Sequence, residues 1–117
     1  MNKMTISILG TKYTVHVRTE ESDETLKQCD GYCDHTNHEI VLRDNSVREP
    51  GDVSDLQAYE HRVLRHEIIH AFLFESGLGA DATYRQDGET HPEMLVDWYA
   101  RQAPKIYKTF QDAGIID

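Results

Sequence analysis

Leu64-Arg65-His66-Glu67-Ile68-Ile69-His70-Ala71-Phe72-Leu73-Phe74-Glu75-Ser76-Gly77-Leu78 is the stretch on which the fold turns. No Pro or Gly interrupts residues 55–76, so one long helix is predicted. Ser54 supplies an N-cap, Gln57 completes a capping box, and Val53 stands at the staple position. Gly77 fits the residue after the helix, where a left-handed backbone is favoured, and Leu78 can fold back on the last turn. Ile68, Ile69, Ala71, Phe72, Leu73 and Phe74 are almost continuously apolar, which predicts a helix buried on most sides.

His66 and His70 are four residues apart, so on a helix both imidazoles share one face and can reach one Zn²⁺. Glu67 is rotated about 100° from His66, which sets its carboxylate beside the metal-bound water rather than on the metal. In a buried stretch these three side chains are costly unless paired or metal-bound. A catalytic zinc takes three protein ligands and keeps one position open. Glu93 is the best candidate for the third, with His91 as its rival and Glu75 and Asp81 as lesser ones. Asp97, one turn after Glu93, can accept a hydrogen bond from a ligand histidine, His66 in particular, and orient its ring. His61 lies off the ligand face and reads as a surface residue.

Around this helix the pattern is α+β. Residues 4–9 and 12–19 alternate like two strands of a hairpin with its turn at Gly10-Thr11. Residues 22–28 suggest a short polar helix capped by Ser22. The stretch from Cys29 to Asp34 leads into a polar turn at His35, Thr36 and Asn37, and Glu39, Ile40, Val41, Leu42 and Arg43 form a third strand. Residues 79–90 read as a surface loop. Pro92 opens a second helix that runs to about Gln102, and Pro104 breaks it from a short helix at 105–110. The expected arrangement is a small mixed or antiparallel sheet packed on the central helix and a second metal-bearing helix, in one domain over residues 1–117.

The combination of His66-Glu67-x-x-His70 with Glu93-x-x-x-Asp97 resembles the zincin metallopeptidases, and among them the gluzincin branch. The stretch from Leu64 to Leu78, together with Met94 to Ala100, is similar to small zincin-like proteins of bacteria and phages, including those near the ImmA/IrrE type. The resemblance implies a zincin-like fold, a Zn²⁺ cofactor and a protein or peptide substrate, with a regulatory protein as one expectation. It also implies a strand bordering the cleft along which an extended substrate pairs, and Glu39–Arg43 matches that strand by position. The chain departs from full-size gluzincins in its 117 residues, so the expected cleft is shallow and lacks one wall.

The mechanism this implies is zinc-assisted peptide hydrolysis with Glu67 as general base. Tyr84, Arg85 and Tyr107 are candidates to stabilise the oxyanion. The alternative is a zinc-containing binding or inhibitor protein of phage or mobile-element origin without proteolytic activity. A formal charge of −9, from 21 acidic against 12 basic residues, argues against direct nucleic-acid binding, which needs clustered Lys and Arg, and against anionic membranes. No stretch nears the roughly 20 apolar residues of a membrane span, and residues 1–10 do not form a signal peptide. A cytoplasmic protein is expected, with Cys29 and Cys33 as two reduced cysteines.

Overall fold

The computed structural model describes residues 3–45, 55–78 and 93–117, with only the backbone at positions 93, 94, 96, 97 and 100. Four strands and two long helices make an α+β fold. In chain order these are β1 (Lys3–Ile8), β2 (Thr11–Arg18), a 3-10 turn (Glu24–Lys27), β3 (Gly31–Asp34), β4 (Glu39–Arg43), α1 (Leu56–Glu75) and α2 (Glu93–Ala113).

The sheet order is β1-β2-β4-β3. β1 and β2 form an antiparallel hairpin, β2 and β4 run parallel, and β3 is antiparallel to β4. The hairpin turn is Leu9-Gly10, one residue earlier than expected. Both residues have positive φ, +50° and +88°, the backbone whose twist matches the flanking strands.

Between β2 and β3 the chain must pass from one side of β4 to the other. Asp23 ties this crossing down. Its carboxylate accepts from Arg18 of β2 at 3.2 Å and from the Tyr32 hydroxyl of β3. The short turn that follows is capped by Asp23, not Ser22, through a bond from the Thr25 N–H.

Two departures from the sequence reading change the site. Residues 31–34 form a strand rather than the approach to a turn. Asp34 ends it, its Oδ1 accepting from the backbone N–H groups of Thr36 and Asn37 at 3.1 and 3.2 Å. Such a side-chain-closed turn lets a short strand fold back on β4. Pro104 also lies inside a single 21-residue α2. Buried or partly buried contacts on both sides of it, from Trp98, Ile106 and Phe110, outweigh the hydrogen bond the ring removes.

One core joins these elements. Tyr13, Val15, Ile40 and Leu42 from the sheet meet Leu64, Ile68, Ala71 and Phe72 of α1 and Ile106 of α2. The α1 residues recur at i, i+4, i+7 and i+8, the stripe an amphipathic helix turns to a sheet. Ile69, Leu73 and Phe74 are only partly buried, so α1 is less enclosed than its apolar run suggested. Its cap is Asp55, whose carboxylate accepts from the Ala58 N–H at 3.0 Å; Ser54 lies outside the described residues. Gly77 takes the expected left-handed backbone at φ +91°. No helix among the described residues is long and apolar enough to cross a membrane.

Candidate metal centre

His66 and His70 leave the outer face of α1 side by side. Their Nε2 atoms lie 3.2 Å apart and the rings meet edge to face, with centroids 4.8 Å apart. Two nitrogens each about 2.05 Å from a tetrahedral zinc are separated by roughly 3.3 Å. The pair is therefore spaced as two corners of one coordination sphere. Both rings are exposed, whereas Glu67, between them in sequence, is buried at 7% exposure. That burial raises the Glu67 pKa, with the neighbouring His66 opposing it.

Two imidazole donors and an adjacent carboxylate suit zinc chemically. Among the described residues no group of three or more His, Cys, Asp or Glu side chains converges to hold a metal. Glu93 is the first residue of α2, but its side chain and that of Asp97 lie outside the described residues, as do His91, Asp81, Tyr84 and Arg85 entirely. Beyond those positions, α2 is tied to the end of α1 by the Trp98 indole N–H, which donates to Ser76 Oγ at 2.9 Å. Glu75 is engaged with the β1–β2 hairpin instead. Its two carboxylate oxygens accept from Thr11 Oγ1 at 2.9 Å and Tyr13 Oη at 2.8 Å, which pins α1 to the hairpin. Tyr107 is exposed on α2 and lines neither groove described below. His61, expected at the surface, pairs with Asp117 at 2.8 Å.

The strand beside the site is β3, and the assignment of Glu39, Ile40, Val41, Leu42 and Arg43 as the open edge is corrected. β4 is hydrogen-bonded on both sides, to β2 and to β3, so its backbone has nothing left to offer a substrate. β3 is the edge. The Arg43 N–H donates to the Asp30 carbonyl at 2.9 Å, which makes Asp30–Arg43 a hydrogen-bonded pair. In an antiparallel ladder such pairs alternate, so Tyr32 faces β4 while Gly31 and Cys33 direct their N–H and C=O outward.

Gly31 and Cys33 also border the site. One groove of about 390 Å³ is lined by Gly31, Tyr32, Cys33, His66, Glu67, His70 and Phe74. A second, of about 420 Å³, shares Gly31, His66 and Glu67 and extends past Cys29, Asp30, Tyr59, Arg62 and Val63. The two form a cleft between the β3 edge and α1 with His66 and Glu67 at its middle. Gly31 lets the walls approach this closely. A Cβ there would stand 2.9 Å from Val63 Cγ1 and 3.0 Å from the Val41 carbonyl oxygen.

Cys29 and Cys33 are free thiols. Burial first, and then the charges of Glu67, Asp34 and Glu75, push the Cys33 thiol up to about 12. At about pH 8 only about one Cys33 in ten thousand is then a thiolate. Iodoacetamide is expected to label Cys29 in the native chain while Cys33 stays unmodified, as peptide mass spectrometry will show. Equal labelling of both would contradict the raised pKa of the half-buried Cys33 thiol. Comparisons with protein-family models, with curated proteins and with solved structures return no match.

Proposed function

We propose that the chain is a zinc-dependent peptide hydrolase of zincin-like design. The observation that carries this reading is a buried carboxylate, Glu67, lining the same groove as two imidazoles whose Nε2 atoms lie 3.2 Å apart, beside the β3 edge of the sheet. A purely structural zinc needs no carboxylate beside it and closes its sphere with four protein ligands.

His66 and His70 would hold the metal through Nε2, with Glu93 as the proposed third ligand, His91 as its alternative and Asp97 as the residue that would orient the His66 ring. Zinc, when bound, polarises the scissile carbonyl and lowers the pKa of water to about 7. Glu67 takes the proton of the attacking water on its carboxylate and delivers it to the leaving amine nitrogen. Burial makes that carboxylate a stronger base than an exposed one, because its ionised form is poorly solvated. Gly31 and Cys33 hold the peptide by backbone pairing, as strand addition does at other sheet edges. That pairing orients the scissile bond against His66 and Glu67.

The test is zinc content and peptide cleavage measured on one preparation. One zinc per chain is expected, together with cleavage of an unfolded protein such as reduced casein. Both should be lost in His66→Ala and in His70→Ala, and a chelator should stop cleavage. Tight zinc binding without cleavage of any protein or peptide would favour the binding-protein alternative.

A further inference from the structure

The cleft is not chemically symmetric about His66 and Glu67. On the Phe74 side its wall is aromatic, since Phe74 stacks on His35 with ring centroids 4.0 Å apart and planes 11° apart. On the other side it is lined by Asp30, Tyr59 and Arg62. There the Asp30 carboxylate is already committed. It accepts from the Tyr59 hydroxyl and pairs with Arg43 at 3.5 Å. The Arg62 guanidinium rests over the Tyr59 ring, 5.3 Å from its centroid, and has no carboxylate partner among the described residues. It is exposed and is the only Arg or Lys among the residues lining this side of the cleft.

Arg62 stands one helical turn before His66, about 6 Å along α1. Residues on one face of an extended peptide recur every ~6.6 Å. A peptide pairing with β3 and carrying its reacting carbonyl at His66 therefore presents a side chain to Arg62 within two residues of the scissile bond.

We propose that Arg62, held over Tyr59, is a specificity-determining residue that selects peptides with Asp or Glu on that side of the scissile bond. This rests on reading the cleft as a peptide site. The ring holds the guanidinium in place, which reduces the freedom lost when a carboxylate binds. Recognition of an acidic side chain would be a local reversal of sign in a chain whose net charge is −9.

The test reads binding, so that it does not depend on turnover. Fluorescein-labelled hexapeptide pools carry Glu, Gln or Lys at one fixed position and mixed residues elsewhere. Each is titrated, with zinc present, onto the full chain carrying Glu67→Gln. At one position the Glu pool is expected to bind about two- to fivefold tighter than the Gln pool, the range for a solvent-exposed Arg–carboxylate pair. The preference should vanish when Arg62→Ala is added, turn toward Lys pools with Arg62→Glu, and shrink as salt is raised. No preference at any position, no binding of any pool, or a preference that survives Arg62→Ala overturns the proposal. Cleavage by the parent chain without an acidic preference removes this proposal and leaves the hydrolase. Acid-selective binding without cleavage does the reverse.

Discussion

Glu67→Gln is expected to keep zinc at one per chain and to lower peptide hydrolysis by roughly 10²- to 10⁴-fold, the usual share of a general base. Gln has nearly the same shape, so the imidazole pair should keep its spacing. The same substitution is expected to stabilise the metal-free chain. Glu67 is buried, and burial raises its pKa above 4.5. The native state therefore holds this proton more tightly than the unfolded state does. Stability from that proton is fully present below the unfolded value and is lost as pH rises through the raised folded value. Thermal melts of parent and variant should diverge as pH rises from about 4.5 toward neutrality, with the variant higher. Hydrolysis retained at the parent rate would remove Glu67 from the mechanism. Equal melting at neutral pH would show its burial to be cheap.

Gly31→Val is expected to destabilise the chain and to close the cleft. The added Cβ meets Val63 Cγ1 at 2.9 Å, the Val41 oxygen at 3.0 Å and Leu42 Cδ2 at 3.2 Å. Val63 can turn, but the Val41 carbonyl belongs to the sheet. Overpacking of this kind costs about 1–3 kcal/mol, and valine's branches put it at the upper end. Two effects oppose it. Valine suits a strand by up to about 1 kcal/mol, and losing glycine's freedom in the unfolded chain contributes another ~0.4–1 kcal/mol. The steric cost wins by about 1 kcal/mol, and peptide binding should fall with it because β3 is pushed from α1. Urea unfolding and peptide titration check both. A variant as stable as its parent that binds peptide equally well would mean that β3 is not seated against α1.

What could be read in the sequence was local. The His66-Glu67-x-x-His70 spacing and the start and end of α1 depend on neighbours within about one turn, and only the cap moved, from Ser54 to Asp55. The β1–β2 hairpin and β4 show in short alternations. β3 was missed because Gly31-Tyr32-Cys33-Asp34 offers no clear alternation and sits between turn-forming residues. The edge was misplaced for a different reason. Which strand is outermost depends on the order β1-β2-β4-β3, set by a crossing that Asp23 ties between Arg18 and Tyr32. No spacing within Glu39–Arg43 encodes that. Nothing in the neighbouring sequence marks Arg62, because the ring of Tyr59 beneath it gains its place in a cleft only through Asp30 and β3, some thirty residues away. Pro104 was read by its intrinsic cost, and contacts made by Trp98 and Ile106 overrode it.

The one-turn spacing of His66 and His70 also bears on how the chain folds. Starting a helix is its costly step, because several dihedrals are fixed for a single hydrogen bond. A metal that bridges residues four apart fixes that turn directly, before any sheet has formed. Zinc present during refolding should therefore speed the appearance of α1. To the extent that the same pair also binds zinc in the unfolded chain, the ion would raise the equilibrium stability by less than its affinity for the native site implies.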